Sequence, residues 1–123
     1  MTTVPEALED VEGTSPRVIA RLESLDFEIE YMRDDVEGRY SEAELEEAYR
    51  LIMANQITGD DFKELIGKGR YEAQTLFFED VVVCLFPSER YEAVFASFDY
   101  DDDFPVIDLV RRATEARLDA TDG

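Results

Sequence analysis

The chain of 123 residues contains no histidine and a single cysteine, Cys84. Without histidine it lacks the usual general base near neutral pH and the commonest nitrogen ligand of transition metals. One cysteine excludes an intrachain disulfide framework and a thiolate metal cluster. Cys84 lies inside the apolar run VVVCLF with no histidine available to activate it, so we expect a buried core residue and not a nucleophile.

Long apolar segments are also missing. No stretch approaches the ~20 apolar residues that a membrane-spanning helix needs. The first residues, MTTVPEALEDVEG, lack the basic and apolar regions of a signal peptide. We therefore expect a cytoplasmic protein that does not bind a membrane.

Lysine is scarce and acidic residues are abundant. The chain has 12 basic and 31 acidic side chains, a formal net charge of -19, and only Lys63 and Lys68 among its basic residues are lysines. Such a charge opposes compaction unless the solvent screens it, as happens at molar salt, where the Debye length is about 3 Å. The composition indicates a halophile's intracellular protein, in which an acidic surface says little about any partner.

The apolar content argues that the chain folds. It is 45% hydrophobic, with eight phenylalanines and six tyrosines, which is unlike an acidic disordered segment. Its length suits one domain over residues 1–123. Residues 1–16 are expected to be either a flexible or a weakly helical segment, since few of them are apolar.

The first half of the chain reads mainly as helix. Residues 17–22 (RVIARL) are predicted as a strand. The apolar residues of 24–36 fit both the alternation of a strand and the spacing of a helix. Helix is favoured there, because Ser24 and Asp26 resemble a helix start, but strand stays open. Ser41 and Glu44 form a capping box for a helix over residues 41–55, and TGDDF begins a second short helix that ends at Gly67.

The second half reads as three strands and a helix. Residues 70–78, 81–86 and 91–98 are predicted as three strands, with turns at 79–80 and 87–89. A last helix follows, with Pro105 in its first turn. The predicted order is β-α-α-α-β-β-β-α, an α+β domain built on an antiparallel meander. Residues 81–86 are apolar on both faces, so helices on one side and either helices or a second copy on the other must cover them.

The acidic stretch FDYDDDF places Asp99, Asp101 and Asp103 at the D-x-D-x-D spacing found in metal-binding loops. A calcium loop of the EF-hand type would continue with glycine and then a bidentate glutamate, but Phe104 and Val110 stand at those positions. The three aspartates are therefore weak metal candidates. An acidic turn ahead of a helix N-terminus accounts for them better.

The loop GKGR is the only locally basic one, and Lys68 and Arg70 are weak candidates for binding phosphate. It lacks the other residues of a Walker A sequence and does not join a strand to a following helix. A helix-capping glycine followed by a loop is the favoured interpretation.

Nucleic-acid binding is disfavoured. Arg111, Arg112 and Arg117 lie late in the last helix, where they complement its dipole and pair with nearby carboxylates. The wider acidic surface repels phosphates. Aromatic residues on the strands are expected to pack in the sheet and not to stack bases; these are Tyr71, Tyr91 and Phe95.

The segments YMRDDVEGRYSE, MANQITGDDF and FPSERYEAVFASFD resemble those of a family of small, acidic, uncharacterised proteins from halophilic archaea. The resemblance runs from about residue 26 to residue 110. It implies one domain and a salt-rich cytoplasm. The family has no assigned activity, so the resemblance implies no catalytic or binding residue.

These observations favour a non-enzymatic module that acts by protein association, most simply as a homodimer through the sheet or an apolar helix face. We expect no catalytic residue, cofactor or metal. The alternative is a small-ligand or cation-binding sensor, or an enzyme based on carboxylates. Acidic pairs such as Asp60 with Asp61 arise from composition alone and do not favour it.

Overall fold

An antiparallel sheet with helices on both faces forms the protein. The computed structural model describes residues 3–23, 26–88 and 93–122, with side chains as far as residue 118. The elements are α1 (Val4–Glu9), β1 (Pro16–Leu22), β2 (Phe27–Met32), α2 (Glu42–Ile66), β3 (Gln74–Phe77), β4 (Val81–Pro87), β5 (Ala93–Asp99) and α3 (Val106–Asp122). The sheet order is β2-β1-β5-β4-β3, and every neighbouring pair is antiparallel.

The α+β class and the meander of β3, β4 and β5 are confirmed. The order α-β-β-α-β-β-β-α differs from the predicted one at three places, the first of which is the added helix α1. Residues 26–36, for which helix was favoured, contain strand β2, and the two helices predicted between residues 41 and 66 are one. Ser24, Glu89 and Tyr91, on which a helix start, a turn and a strand were predicted, lie outside the described residues.

Strand β2 explains its own misleading pattern. The register with β1 pairs Ile19 with Tyr31 and then Ala20 with Ile29, so Glu30 is an extra residue at a bulge. Ile29 and Met32 consequently both line the space beneath α2, although they are three residues apart. That spacing imitates a helical stripe, and the favoured helix was wrong for this reason.

Helix α2 is continuous from residue 42 to residue 66. The predicted capping box is confirmed, since the Ser41 amide donates to Glu44 Oε1 at 3.0 Å and the Glu44 amide donates to Ser41 Oγ at 3.1 Å. The predicted start at TGDDF is wrong. Thr58 Oγ1 donates to the Ala54 carbonyl oxygen at 3.0 Å inside the helix and so caps nothing.

Helices α1 and α3 cover one face of the sheet. Its core consists of large buried side chains from five elements, including Leu8, Ile19, Phe86, Phe98 and Leu109. Within residues 1–16, residues 4–9 form helix α1: Thr3 accepts a hydrogen bond from the Glu6 amide, and Leu8 is fully buried. Burial of this kind is the main favourable contribution to folding.

Among the described residues, α2 is the one element that covers the opposite face. Tyr49, Ile52 and Met53 pack toward a small cluster centred on Leu22, Leu85 and Ala93. The side of α2 toward β3 leaves apolar residues in solvent, and Leu51, Phe62 and Ile66 are each more than half exposed. The two-sided apolar character predicted for residues 81–86 thus has a helix on each side, with part of one side left open.

Candidate functional site

The aspartates of FDYDDDF do not converge. Asp99 ends β5 and accepts two hydrogen bonds from Arg33, with Nη1 to Oδ2 at 2.7 Å and Nη2 to Oδ1 at 3.1 Å. Asp101 Oδ1 accepts from the Asp103 amide at 3.0 Å, which makes a local turn. Within the described residues, no three acidic, histidine or cysteine side chains are grouped so that they would hold a metal ion.

Two details of that prediction change. Asp99 was expected in the turn but is a strand residue. Pro105 was expected inside the first turn of the last helix, but α3 begins at Val106 and the Pro105 carbonyl accepts from the Leu109 amide at 3.0 Å. The acidic turn therefore lies between β5 and α3, as expected, and its first aspartate belongs to an ion pair.

Arg33, just after β2, forms hydrogen bonds to residues before β1, at the end of β5 and in the turn after β2. It donates to Asp35, to Asp99 and, through Nη1, to Ser15 Oγ at 2.9 Å. The hydrogen bonds from its guanidinium lower the pKa of Asp35 and of Asp99 and raise the pKa of Arg33 itself. Since all these side chains are partly or largely exposed, the cluster reads as a surface connection that ties β2 to β5, and not as a catalytic pair.

The GKGR loop caps α2 as predicted. Gly67 adopts the left-handed conformation, with φ of 64°, and its amide donates to the Lys63 carbonyl oxygen at 3.0 Å. Lys68 and Arg70 are both exposed, and together with Lys63 they line a cavity of about 400 Å³ against the end of α2. Both phosphate candidates therefore face one concave space.

The arginines of α3 separate into different roles. Arg111 pairs with Asp108 at 3.5 Å on the exposed side of the helix. Arg117 Nη1 donates to the Tyr71 carbonyl oxygen at 3.0 Å, which ties α3 to the loop before β3. Tyr71 lies in that loop and not on a strand, whereas Phe95 lies on β5 beneath α2.

Cys84 is a core residue, as predicted. Its side chain is fully buried on β4, and burial raises the thiol pKa to about 11. A thiol in that state is a poor nucleophile at neutral pH. The interior position agrees with its place in the apolar run.

A groove runs between α2 and the sheet, and sequence reasoning missed it. It has a volume of about 720 Å³, with a floor of Val83 and Phe95 and rims that include Leu51 of α2 and Phe78 after β3. Leu51 is 54% exposed and Phe78 is 56% exposed. One feature of the sequence could have indicated the groove. Leu51 is an apolar residue that lies outside the apolar helix face defined by residues such as Leu45 and Ile52.

The outer edge of β3 adjoins this groove. We call residues 73–78, AQTLFF, the β3 edge; they carry no charge in a chain of which 35% is charged. Leu76, Phe77 and Phe78 are each 45% exposed or more. In the sheet of the described residues β3 is the terminal strand, so one side of its backbone has no neighbouring strand there.

The other edge of the sheet is built differently. Strand β2 has the sequence FEIEYM, in which Glu28 and Glu30 place negative charge along the edge. Charged side chains and bulges are the usual devices that keep an edge strand from pairing with another chain, and β2 has both. The β3 edge has neither of these devices.

Comparisons with known proteins place the chain in a family. Residues 2–118 match the family described as a domain of unknown function (DUF7522), and the chain belongs to that family. No curated protein and no solved structure matches it. Of the helices in the described part of the chain, none combines the length and apolar character needed to cross a membrane.

Proposed function

We propose that the protein is a non-enzymatic association module in which two copies pair their β3 edges and form a homodimer. The uncharged β3 edge carries this proposal: Leu76, Phe77 and Phe78 are exposed at the end of a sheet whose opposite edge is charged. An uncharged, apolar edge strand is a template for pairing with another strand. Main-chain hydrogen bonds give such an interface its affinity, and the side chains beside the strand give it specificity.

A second copy is the occupant that this edge suits best. A two-fold axis perpendicular to the sheet pairs β3 with itself in the antiparallel orientation that every other pair in the sheet already has. The same axis sets both α2 helices on one face of the joined sheet. The exposed flank of each α2 that carries Leu51 then lies on the side toward the partner, where it can be buried together with Leu76.

The charge of the chain sets the condition for pairing. Each copy carries a formal net charge of -19, so two copies repel each other at low salt. In molar salt the Debye length of about 3 Å removes most of that repulsion and leaves the apolar contact. We accordingly place the protein in the salt-rich cytoplasm of a halophilic archaeon, which the scarcity of lysine also supports.

Light scattering on size-exclusion chromatography in molar KCl tests the proposal. Wild type should elute as a particle of twice the chain mass, and Leu76→Lys should convert it to a monomer. Ile29→Lys is the matched control, because Ile29 is a similarly exposed apolar residue on the opposite edge strand. Circular dichroism on each variant confirms that it is folded.

Two results would count against this function. Wild type that stays monomeric at every concentration would remove self-association, and the groove would then favour the small-ligand alternative. A dimer that survives Leu76→Lys but dissociates with Ile29→Lys would move the interface to β2.

A further inference from the structure

The chain's only two lysines lie at one place. Lys63, in the last turn of α2, and Lys68, in the loop after it, line the same cavity of about 400 Å³ as Arg70. Three of the 12 basic residues therefore surround one concave space in a protein with 31 acidic residues. In the described part of the chain neither lysine pairs with a carboxylate, and Arg70 reaches Glu72 only at 4.0 Å.

Apolar side chains supply much of the remaining lining of the cavity. Phe62 and Ile66 of α2 form one wall, and Ala73, just before β3, lies on the other side. Phe62 and Ile66 are exposed by 54% and 61%, so they offer contact area to a ligand without any change in the fold. The volume falls within the range of small-molecule sites, which combine a mostly apolar lining with a few polar groups.

The backbone of the loop has amide groups that an anion can use. Gly67 has φ of 64° and Gly69 has φ of 117°, while Lys68 between them has a negative φ, as do all described residues other than glycine. Glycines at both positions give this backbone the freedom to turn its amide groups toward a bound anion. Across the described residues, the amides of Lys68, Gly69 and Arg70 donate to no other backbone group.

The loop is fixed at both of its ends. Gly67 closes α2, and Tyr71 is held at three points: its ring packs on Gly59, its hydroxyl accepts from Gln74 Nε2 at 3.1 Å, and its carbonyl oxygen accepts from Arg117 at 3.0 Å. Gln74 Nε2 also donates to the Asn55 carbonyl oxygen at 2.8 Å. A pre-organised site loses less conformational freedom when a ligand binds.

We propose that this cavity binds a small organic anion with an apolar body, in which a phosphate or carboxylate group meets Lys63, Lys68 and Arg70 and the apolar part lies on Phe62 and Ile66. The apolar body matters in this protein's solvent. Salt screens the ionic contacts, whereas the apolar contact persists, so a simple inorganic anion is held weakly. The cavity shares no lining residue with the groove, but Ala73 and Gln74 of its lining belong to the β3 edge of the proposed dimer.

Titration with phenyl phosphate in molar KCl, followed by amide chemical shifts, tests the proposal. We expect saturable shifts centred on residues 67–71, and at least tenfold weaker binding of inorganic phosphate and of benzyl alcohol. Lys63→Gln/Lys68→Gln should weaken phenyl phosphate binding by at least tenfold. Arg39→Gln/Arg111→Gln removes two exposed cations outside the cavity and should leave the dissociation constant unchanged.

Three results would overturn the site. These are shifts spread over the surface without saturation, equal affinity for inorganic phosphate, and undiminished binding in the lysine double variant. Repeating the titration on Leu76→Lys separates this inference from the dimer. Binding at the loop of a monomeric variant supports the cavity whether or not two copies associate.

Discussion

The ring of Tyr71 occupies the space in which a side chain at Gly59 would begin. A Cβ atom built on Gly59 would lie 2.4 Å from Tyr71 Cε2, well inside contact distance. Glycine in the middle of a helix costs up to about 1 kcal/mol relative to alanine, so α2 gives up some local stability at this position. The absence of a side chain at Gly59 allows the loop between α2 and β3 to pack closely against the helix.

Gly59→Ala should therefore destabilise the protein even though alanine is the better helix former. Overpacking costs about 1–3 kcal/mol and the gain in helix propensity offsets up to about 1, so we expect a net loss on the order of 1 kcal/mol in denaturant unfolding. In a Tyr71→Ala background the same substitution should be neutral or stabilising. Equal effects of Gly59→Ala in both backgrounds would show that the ring and the glycine are not coupled.

The ion pair of Arg33 with Asp99 makes the free energy of unfolding depend on pH in the acidic range. Arg33 lowers the pKa of Asp99, so the pair stabilises the fold above the unfolded carboxyl pKa of about 3.9, and this stability is lost as the pH falls through the lower, folded value. Because both side chains are partly exposed, Asp99→Asn should cost at most about 1 kcal/mol at pH 7, and less in molar salt.

Unfolding curves between pH 7 and pH 2 measure that dependence. The gap between wild type and Asp99→Asn should close below pH ~4, where the carboxyl group takes up its proton. Asp102→Asn, at an exposed position in the following turn, serves as the control. A gap that stayed constant down to pH 2 would show that the charge of Asp99 contributes nothing.

Burial of Cys84 predicts a loss of stability at alkaline pH. The thiol pKa rises from 9.0 to about 11 in the fold, so the unfolded chain releases its proton first. The stability that this group contributes is complete below pH 9 and disappears as the pH rises to 11, which amounts to roughly 2–3 kcal/mol.

Comparison with Cys84→Ala isolates this contribution. The variant loses stability at every pH through the smaller side chain, but between pH 9 and 11 its stability should fall less steeply than that of wild type. Parallel curves would mean that the thiol titrates alike in both states. Labelling by a thiol reagent at pH 7 should also be much slower in the folded protein than in denaturant.

Dimerisation should strengthen with salt. Repulsion between two copies of charge -19 is screened in molar KCl and persists at low salt, so we expect the dissociation constant to fall at least tenfold between 0.1 M and 1 M ionic strength. Sedimentation equilibrium at several KCl concentrations measures it, and circular dichroism at each salt distinguishes dissociation from unfolding. An interface held by ion pairs would show the reverse trend.

How far the sequence predicts the fold depends on whether local and tertiary signals agree. The meander and the Ser41 capping box are local and were predicted correctly. The three-residue spacing of Ile29 and Met32 was interpreted as helical. It comes from a bulge that forms only when β2 pairs with β1, which the sequence does not show. The segment TGDDF was predicted to begin a helix because it contains residues typical of a helix start. Gly59 in this segment instead lies inside α2, where the ring of Tyr71, twelve residues later, packs on it, and the sequence does not show that contact.

The candidate surfaces follow the same division. Lys68 and Arg70 were recognisable as a basic loop, but Lys63 joins them only through the turn that follows α2. The uncharged run AQTLFF was visible in the sequence, whereas its position at the end of the sheet depends on the strand order. The same long-range contacts decide which apolar residues remain exposed.

The pairing of β3 with β3 is tested most directly by an isotope-filtered NOE spectrum. The sample mixes labelled and unlabelled copies in molar KCl and shows only contacts between copies. We predict contacts from Leu76 and Phe78 of one copy to the β3 edge and the α2 flank of the other. A dimer with intermolecular contacts confined to another surface, or a sample with none, would contradict the account.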